Sequence, residues 1–211
     1  MTARRALLLI VIVEAMFCAA AAFAGGKQPN LHFLEGGIIT WVNTAQMVIL
    51  SLAAVAVYRA RSSLDDPSGA ALWIFVAAGA VYLSLDESFE FHEQMGQFLR
   101  QSHLPRPPLV NGWGDVVLAT YAIPVLGVCW WFRRELVADR EVLTYLIIAG
   151  GVLVLSQLID TFGVHQGRER YWWSVSEESS KLIGFGIILG TLIVKWSKTR
   201  AVAEPKLARA A

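Results

Sequence analysis

The sequence predicts an all-α polytopic membrane protein, a six-helix transmembrane bundle. Three observations carry that reading. The chain of 211 residues is 55% hydrophobic with only 17% charged residues, and its mean hydropathy is +0.50, which is too apolar for an ordinary soluble domain. Six apolar stretches approach the length of about 20 residues that a helix needs to cross hydrocarbon. The segments between them are short and rich in Gly, Pro, Asp and Arg, as in LDDPSG and HLPRPPLVNGWG, which are turn compositions.

The first stretch runs from Ala6 to Ala24. Arg4, Arg5, the apolar core and the small-residue run AAAFAGG also fit a cleaved signal peptide, which would leave five spans. Glu14 in the middle of the core, and a length sufficient to span, favour retention as an anchor. Span two is Gly37 to Tyr58, span three Ala70 to about Phe91, span four Gly114 to Phe132, span five Leu143 to about Asp160, and span six about Ser176 to Trp196. Residues 1–197 form one transmembrane domain, and the Ala-rich, charged segment 198–211 is expected to be a disordered cytoplasmic tail. No internal repeat divides the chain.

Lys and Arg set the orientation. A cytoplasmic N-terminus puts twelve of the 18 basic residues inside, among them Arg4, Arg59, Arg61, Arg133, Lys195 and Lys198. Lys27, Arg100, Arg106, Arg168 and Arg170 fall outside, and Lys181 lies within a span. The expected topology is therefore N-in, C-in, in a bacterial inner (plasma) membrane. Trp41, Trp113, Trp172 and Trp173 then mark the outer interface, with Trp130, Trp131 and Trp196 at the inner one. The net charge of +1 gives no reason to expect nucleic acid. Cys18 and Cys129 sit in separate apolar runs, so neither a disulfide framework nor a zinc ribbon is expected. Oligomeric state has no signature in the sequence.

In this orientation the polar residues converge on one layer. Span three delivers Asp86, Glu87, Glu90, His92 and Glu93 to its outer end; span five brings Asp160 and His165; span six opens with Glu177, Glu178 and Lys181. Asn43 and Gln46 lie in the outer half of span two, and Asp115 opens span four. An ionised side chain in a bilayer costs several kcal/mol unless it faces a bundle interior, pairs, or lines a wet cavity. A shared polar pocket is therefore expected. At about 100° per residue, Asp86, Glu90 and Glu93 share one helical stripe, with Glu87 and His92 flanking it. The carboxylates would repel without a positive charge between them. Lys181, at i+4 from Glu177 and i+3 from Glu178, is one source. Arg168 and Arg170 are a second, and one or two metal ions a third.

Blander readings stand beside these. Glu90, Glu35, His32 and His103 fit solvated helix ends and loops. Glu177 and Glu178 also fit favourable charge at a helix N-terminus, capped by Ser174 or Ser176. Gly186 and Gly190 form a Gly-x-x-x-Gly pair, whose expected use is tight packing within the bundle rather than dimerisation. Asp86 and Asp160 are harder to assign to solvent, because apolar residues precede each for several turns.

At LDESFEFHEQMG, followed by SEESSKLIGFG in the last span, the chain resembles a family of small bacterial multipass membrane proteins. Their shared pattern is Asp-Glu, four residues, His-Glu at the end of one span, with a Glu-Glu pair opening the last. The resemblance covers spans three to six and rests on Asp86, Glu87, His92, Glu93, Glu177 and Glu178. It implies which residues matter, not what they do, since the family carries no established activity. A more distant similarity is to alkaline ceramidase-like membrane hydrolases, in which polar residues on several helices hold a zinc ion that activates water. Here the paired histidines of a late helix are replaced by Glu177 and Glu178.

The expected function is metal-assisted chemistry on a lipid or other hydrophobic substrate, at a carboxylate and histidine pocket open to the periplasmic side. The expected metal is divalent, zinc or iron, with Asp86, His92, Glu93, Asp160 and His165 as ligands. In a hydrolytic version a metal-bound water attacks, with Glu177, Glu178 and Glu87 as the acid–base set; with iron the lipid is oxidised. The rival class is a proton- or cation-coupled transporter, a sensor, or an assembly subunit of a membrane complex. Against a through pathway, the inner halves AALWIFVAA, LTYLIIAGGVLV and GIILGTLIV carry no ionisable residue.

Overall fold

A computed structural model describes residues 2–34, 36–64, 66–102, 105, 112–162 and 169–210, with the side chains of 169–170 and 204–210 outside the description. The helices are α1 (Ala3–Ala24), α2 (Ile38–Ser62), α3 (Ala71–Phe89), α4 (Phe91–Gln101), α5 (Trp113–Thr120), α6 (Ala122–Trp131), α7 (Arg133–Ala138), α8 (Arg140–Phe162) and α9 (Glu169–Ala210). A 3₁₀ turn, Pro29–His32, links α1 to α2. Among the described residues there is no strand. Six segments are long and apolar enough to cross a membrane: α1, α2, α3, α5 with α6, α8, and the Tyr171–Ala203 part of α9.

The apolar pattern explains the packing. On α2 the buried positions Ile39, Asn43, Met47, Leu50, Ala54 and Val57 recur every three or four residues, one face of a helix. That face meets α3 and α9. α9 is the central element, with α1, α2 and α8 packed along it and α3 packed on α2. The opposite faces are apolar and open: Met16, Leu52, Leu126, Trp130, Trp131 and Ile147 are all at least 65% exposed. Such a surface is stable against lipid and not against water. Between lipid and bundle interior there is little transfer energy to gain, so close packing contributes most. Trp73, 1% exposed at the heart of the main apolar cluster, illustrates it.

One end of the bundle is tied by ion pairs. Glu135 on α7 is held by Arg61 of α2 at 3.1 Å and by Lys195 of α9 at 2.9 Å, and Lys195 lies over the Trp73 ring. Burial alone would push the Glu135 carboxyl up, but Arg61 and Lys195 together outweigh it and hold the group below the usual glutamate range. Nearby, Lys198 bonds Asp139 at 2.9 Å and Glu141 at 2.8 Å, and Glu141 also pairs with Arg4, joining α1, α8 and α9.

Four helix boundaries differ from expectation. Span three does not run straight to about Phe91: α3 stops at Phe89, Glu90 takes the left-handed conformation (φ 53°, ψ 41°), and α4 restarts at Phe91. The expected stripe of Asp86, Glu90 and Glu93 is thereby broken. Span four is interrupted at Tyr121, because Pro124 has no N–H to offer the Thr120 carbonyl one turn back. It is a peripheral span; α5 and α6 contain no buried residue. α9 begins at Glu169, so Ser174 and Ser176 lie inside the helix and cap nothing. α9 also runs on to Ala210, through the segment expected as a tail.

Candidate functional site

The converging polar residues divide into two constellations. The first is centred on Lys181 of α9. Its Nζ lies 2.6 Å from Glu178 Oε1 and 3.8 Å from Glu177 Oε1 on the same helix, and 3.6 Å from Glu87 Oε1 on α3. The helical spacing of 177, 178 and 181 brings the first two in. Glu87 arrives because α3 ends at this level. All four side chains are at most 24% exposed. The second oxygen of Glu178 is buried without a partner among the described residues. Asp160, near the end of α8, faces Glu177 and accepts a bond from Gln157 Nε2 at 3.4 Å. Ser156 fixes α8 against α9 here, donating to the Glu177 carbonyl at 2.9 Å.

The second constellation is Asp86, His92 and Tyr121. Asp86 is 3% exposed. Its Oδ2 lies 2.8 Å from His92 Nδ1, and its Oδ1 accepts from the His92 backbone N–H at 3.0 Å and from the Tyr121 hydroxyl at 3.3 Å. The left-handed turn at Glu90 folds α4 back so that Asp86 reaches its first turn. With the proton on Nδ1, Nε2 of His92 is left as a base. Tyr121 also meets Tyr82 of α3 edge-on, which fixes its ring.

Among the described residues, the expected metal ligands are not assembled into one group. Asp86 is engaged by His92 and Tyr121; Glu93 lies on α4, past the break; Asp160 belongs with Glu177; His165 lies outside the described residues, as do His103, Glu35, Arg106 and Arg168. The side chain of Arg170 is likewise outside the description. Among the described residues no group of three His, Cys, Asp or Glu is placed to hold a metal ion. Lys181 occupies the centre of the acid-rich group instead. Grooves of ≈ 470 and ≈ 550 Å³ lie far from both constellations, against Arg4 and Glu141 and against Arg59 and Trp196.

Two partners escape a reading of the sequence. Tyr121 is signalled only by a hydroxyl inside an apolar span. Glu14 of α1 accepts from Gln46 Nε2 of α2 at 2.6 Å, a pairing that depends on which helices are neighbours.

An all-α bundle with six helices long and apolar enough to span a membrane, and with charged side chains in its interior, defines the class as multipass membrane-type. Within that class the chain belongs to a family described as a domain of unknown function (DUF8692), whose model matches residues 5–195. No curated protein and no solved structure matches the chain.

Proposed function

We propose that the protein binds and exchanges protons at the Lys181 cluster, as a proton-linked carrier or sensor in a bacterial inner membrane. The supporting observation is the imbalance of charge. Three carboxylates, Glu87, Glu177 and Glu178, surround one ammonium, which leaves two negative charges in excess when all are ionised. Each uncompensated ion in a bundle interior costs several kcal/mol. Counted over the described residues, two positive charges are wanting, and two protons or one divalent cation would supply them. The Lys181 ammonium already fills the space between the three carboxylates, which favours protons. Asp160 beside Glu177 extends the acidic group toward the helix end. In the N-in, C-in topology that end faces the periplasm.

Metal analysis of protein purified in detergent without chelator, combined with infrared titration, tests this. The expected result is no stoichiometric metal, and protonated-carboxyl bands that disappear in Glu177→Gln and Glu178→Gln. Stoichiometric zinc or iron, lost in His92→Ala, would overturn it.

A second reading is favoured by the Asp86–His92 pair. A histidine fixed at Nδ1 by a buried carboxylate is the arrangement of a general base. It suits hydrolysis of a lipid entering from the outer leaflet, with zinc, or with iron for oxidation, as the electrophile. Turnover of a lipid ester or amide that is abolished in His92→Ala and retained in Lys181→Met would establish it over the first.

A further inference from the structure

We infer that Glu14 is the innermost proton-carrying group of a hydrated seam that continues the Lys181 cluster toward the membrane centre, which makes α1 a wall of the site. The inference rests on the proton-binding reading and extends it.

Glu14 lies halfway along α1, with its carboxylate in a notch left by Gly186 of α9. A Cβ at Gly186 would fall 1.9 Å from Oε2 and 2.4 Å from Oε1. A methyl group there would displace the carboxylate from the notch. Oε1 accepts from Gln46 Nε2 at 2.6 Å, whereas Oε2 is buried with no partner among the described residues. The same is true of Gln46 Oε1 and of both polar atoms of Asn43. Asn43 and Gln46 are 0% and 6% exposed and three residues apart on α2, on one face. Buried polar atoms are almost always hydrogen-bonded, to internal water where protein offers nothing. Four such atoms on adjoining side chains therefore mark a hydrated seam.

The seam is continuous with the cluster. The Asn43 amide faces the Glu87 carboxylate. Gly186 lies five positions past Lys181, about 7.5 Å deeper along α9. Cys18, one turn from Glu14, is near Glu14, Glu178 and Ser179. The charged groups of the cluster at the outer end of the seam are Glu178 and Lys181 on α9 and Glu87 on α3. A proton from a hydronium in the seam binds Oε2 and returns by the same route; one O–H bond forms as another breaks.

Infrared difference spectra of the full chain in detergent, titrated in H2O and D2O, read this directly. The expected result is a carboxylic-acid band that is lost in Glu14→Gln and kept in Glu178→Gln, which loses a different band. Gly186→Ala, which drives a methyl onto Oε2, shifts the Glu14 band alone. Asn43→Leu slows its deuteration several-fold. If Glu14→Gln removes no band, the inference falls even with the Glu178 band present; if the Glu14 band appears and no cluster band does, the proton-binding reading of the cluster falls instead. Should Glu14→Gln fail to fold, Asn43→Leu decides, because unchanged deuteration there overturns the seam.

Discussion

Asp86 Oδ2 and His92 Nδ1 lie 2.8 Å apart across a single left-handed residue, Glu90. The Asp-Glu-x4-His-Glu spacing is the spacing of a staple: Asp86 closes the end of α3, Glu90 reverses the backbone, and Asp86 caps the start of α4 through the His92 N–H. A non-glycine residue in the left-handed region carries about 1–2 kcal/mol of strain. Glu90→Gly is therefore expected to leave stability unchanged or raise it by up to about 1 kcal/mol, after the added freedom of the unfolded chain. Glu90→Val, β-branched, is expected to lower it by more than about 1 kcal/mol. Thermal unfolding in detergent measures both, and a Val variant as stable as wild type would remove the strain from Glu90.

Lys181 holds three carboxylates, so its removal strands them. Lys181→Met is expected to destabilise by about 3–5 kcal/mol, the range for removing one member of a buried ion pair. Adding Glu178→Gln, which takes away the closest of the three at 2.6 Å, is expected to recover a measurable part of that loss. A double-mutant cycle in chemical unfolding reads the coupling. Strict additivity would mean that the pair is solvated, and the charge imbalance would lose its force.

The spans and the convergence of Asp86, Glu87, Asp160, Glu177, Glu178 and Lys181 at one level were legible, because hydropathy and helical rise fix depth. Azimuth was not. Whether Asp86 turns to His92 or to a metal depends on Glu90 taking a conformation usually given to glycine or asparagine, and nothing in SFEFH announces it. The interruption at Tyr121 was available in principle from Pro124. The partner of Glu14 was not, since the adjacency of α1, α2 and α9 is a property of the packed bundle. Ser174 and Ser176 misled for a related reason: both are good caps, but the helix begins earlier, at Glu169.

The Arg61–Glu135–Lys195 group makes stability depend on acidity. The Glu135 carboxyl is held below its ordinary value, so its contribution is fully present above the unfolded glutamate pKa of about 4.3 and is lost as pH falls through the folded value. Wild type is thus expected to lose stability on acidification in that window. Glu135→Gln, which leaves Arg61 and Lys195 buried and uncompensated, is expected to cost about 3–5 kcal/mol near neutrality. The gap to wild type should narrow at acid pH. Unfolding midpoints against pH for both proteins check it; a gap constant with pH would mean that Glu135 titrates alike in both states.

Gly186 and Gly190 stand four residues apart on the face of α9 that meets α1, and both are used within the bundle. A Cβ at Gly190 would lie 2.7 Å from Leu7 Cγ and 2.9 Å from Leu7 Cα, so the α1 backbone itself must move to admit a methyl group. Gly190→Ala is therefore expected to destabilise by about 1–3 kcal/mol, the range for overpacking. Gly79 on α3 has nothing among the described residues within 4 Å of its Cβ position, and Gly79→Ala is expected to be neutral or to stabilise by up to about 1 kcal/mol through helix propensity. Thermal unfolding separates the two, and sedimentation in detergent supplies the control. A Gly190→Ala protein with unaltered unfolding but altered oligomeric state would transfer the glycine pair from the α1–α9 contact to an interface between copies, and would free α1 from the central helix.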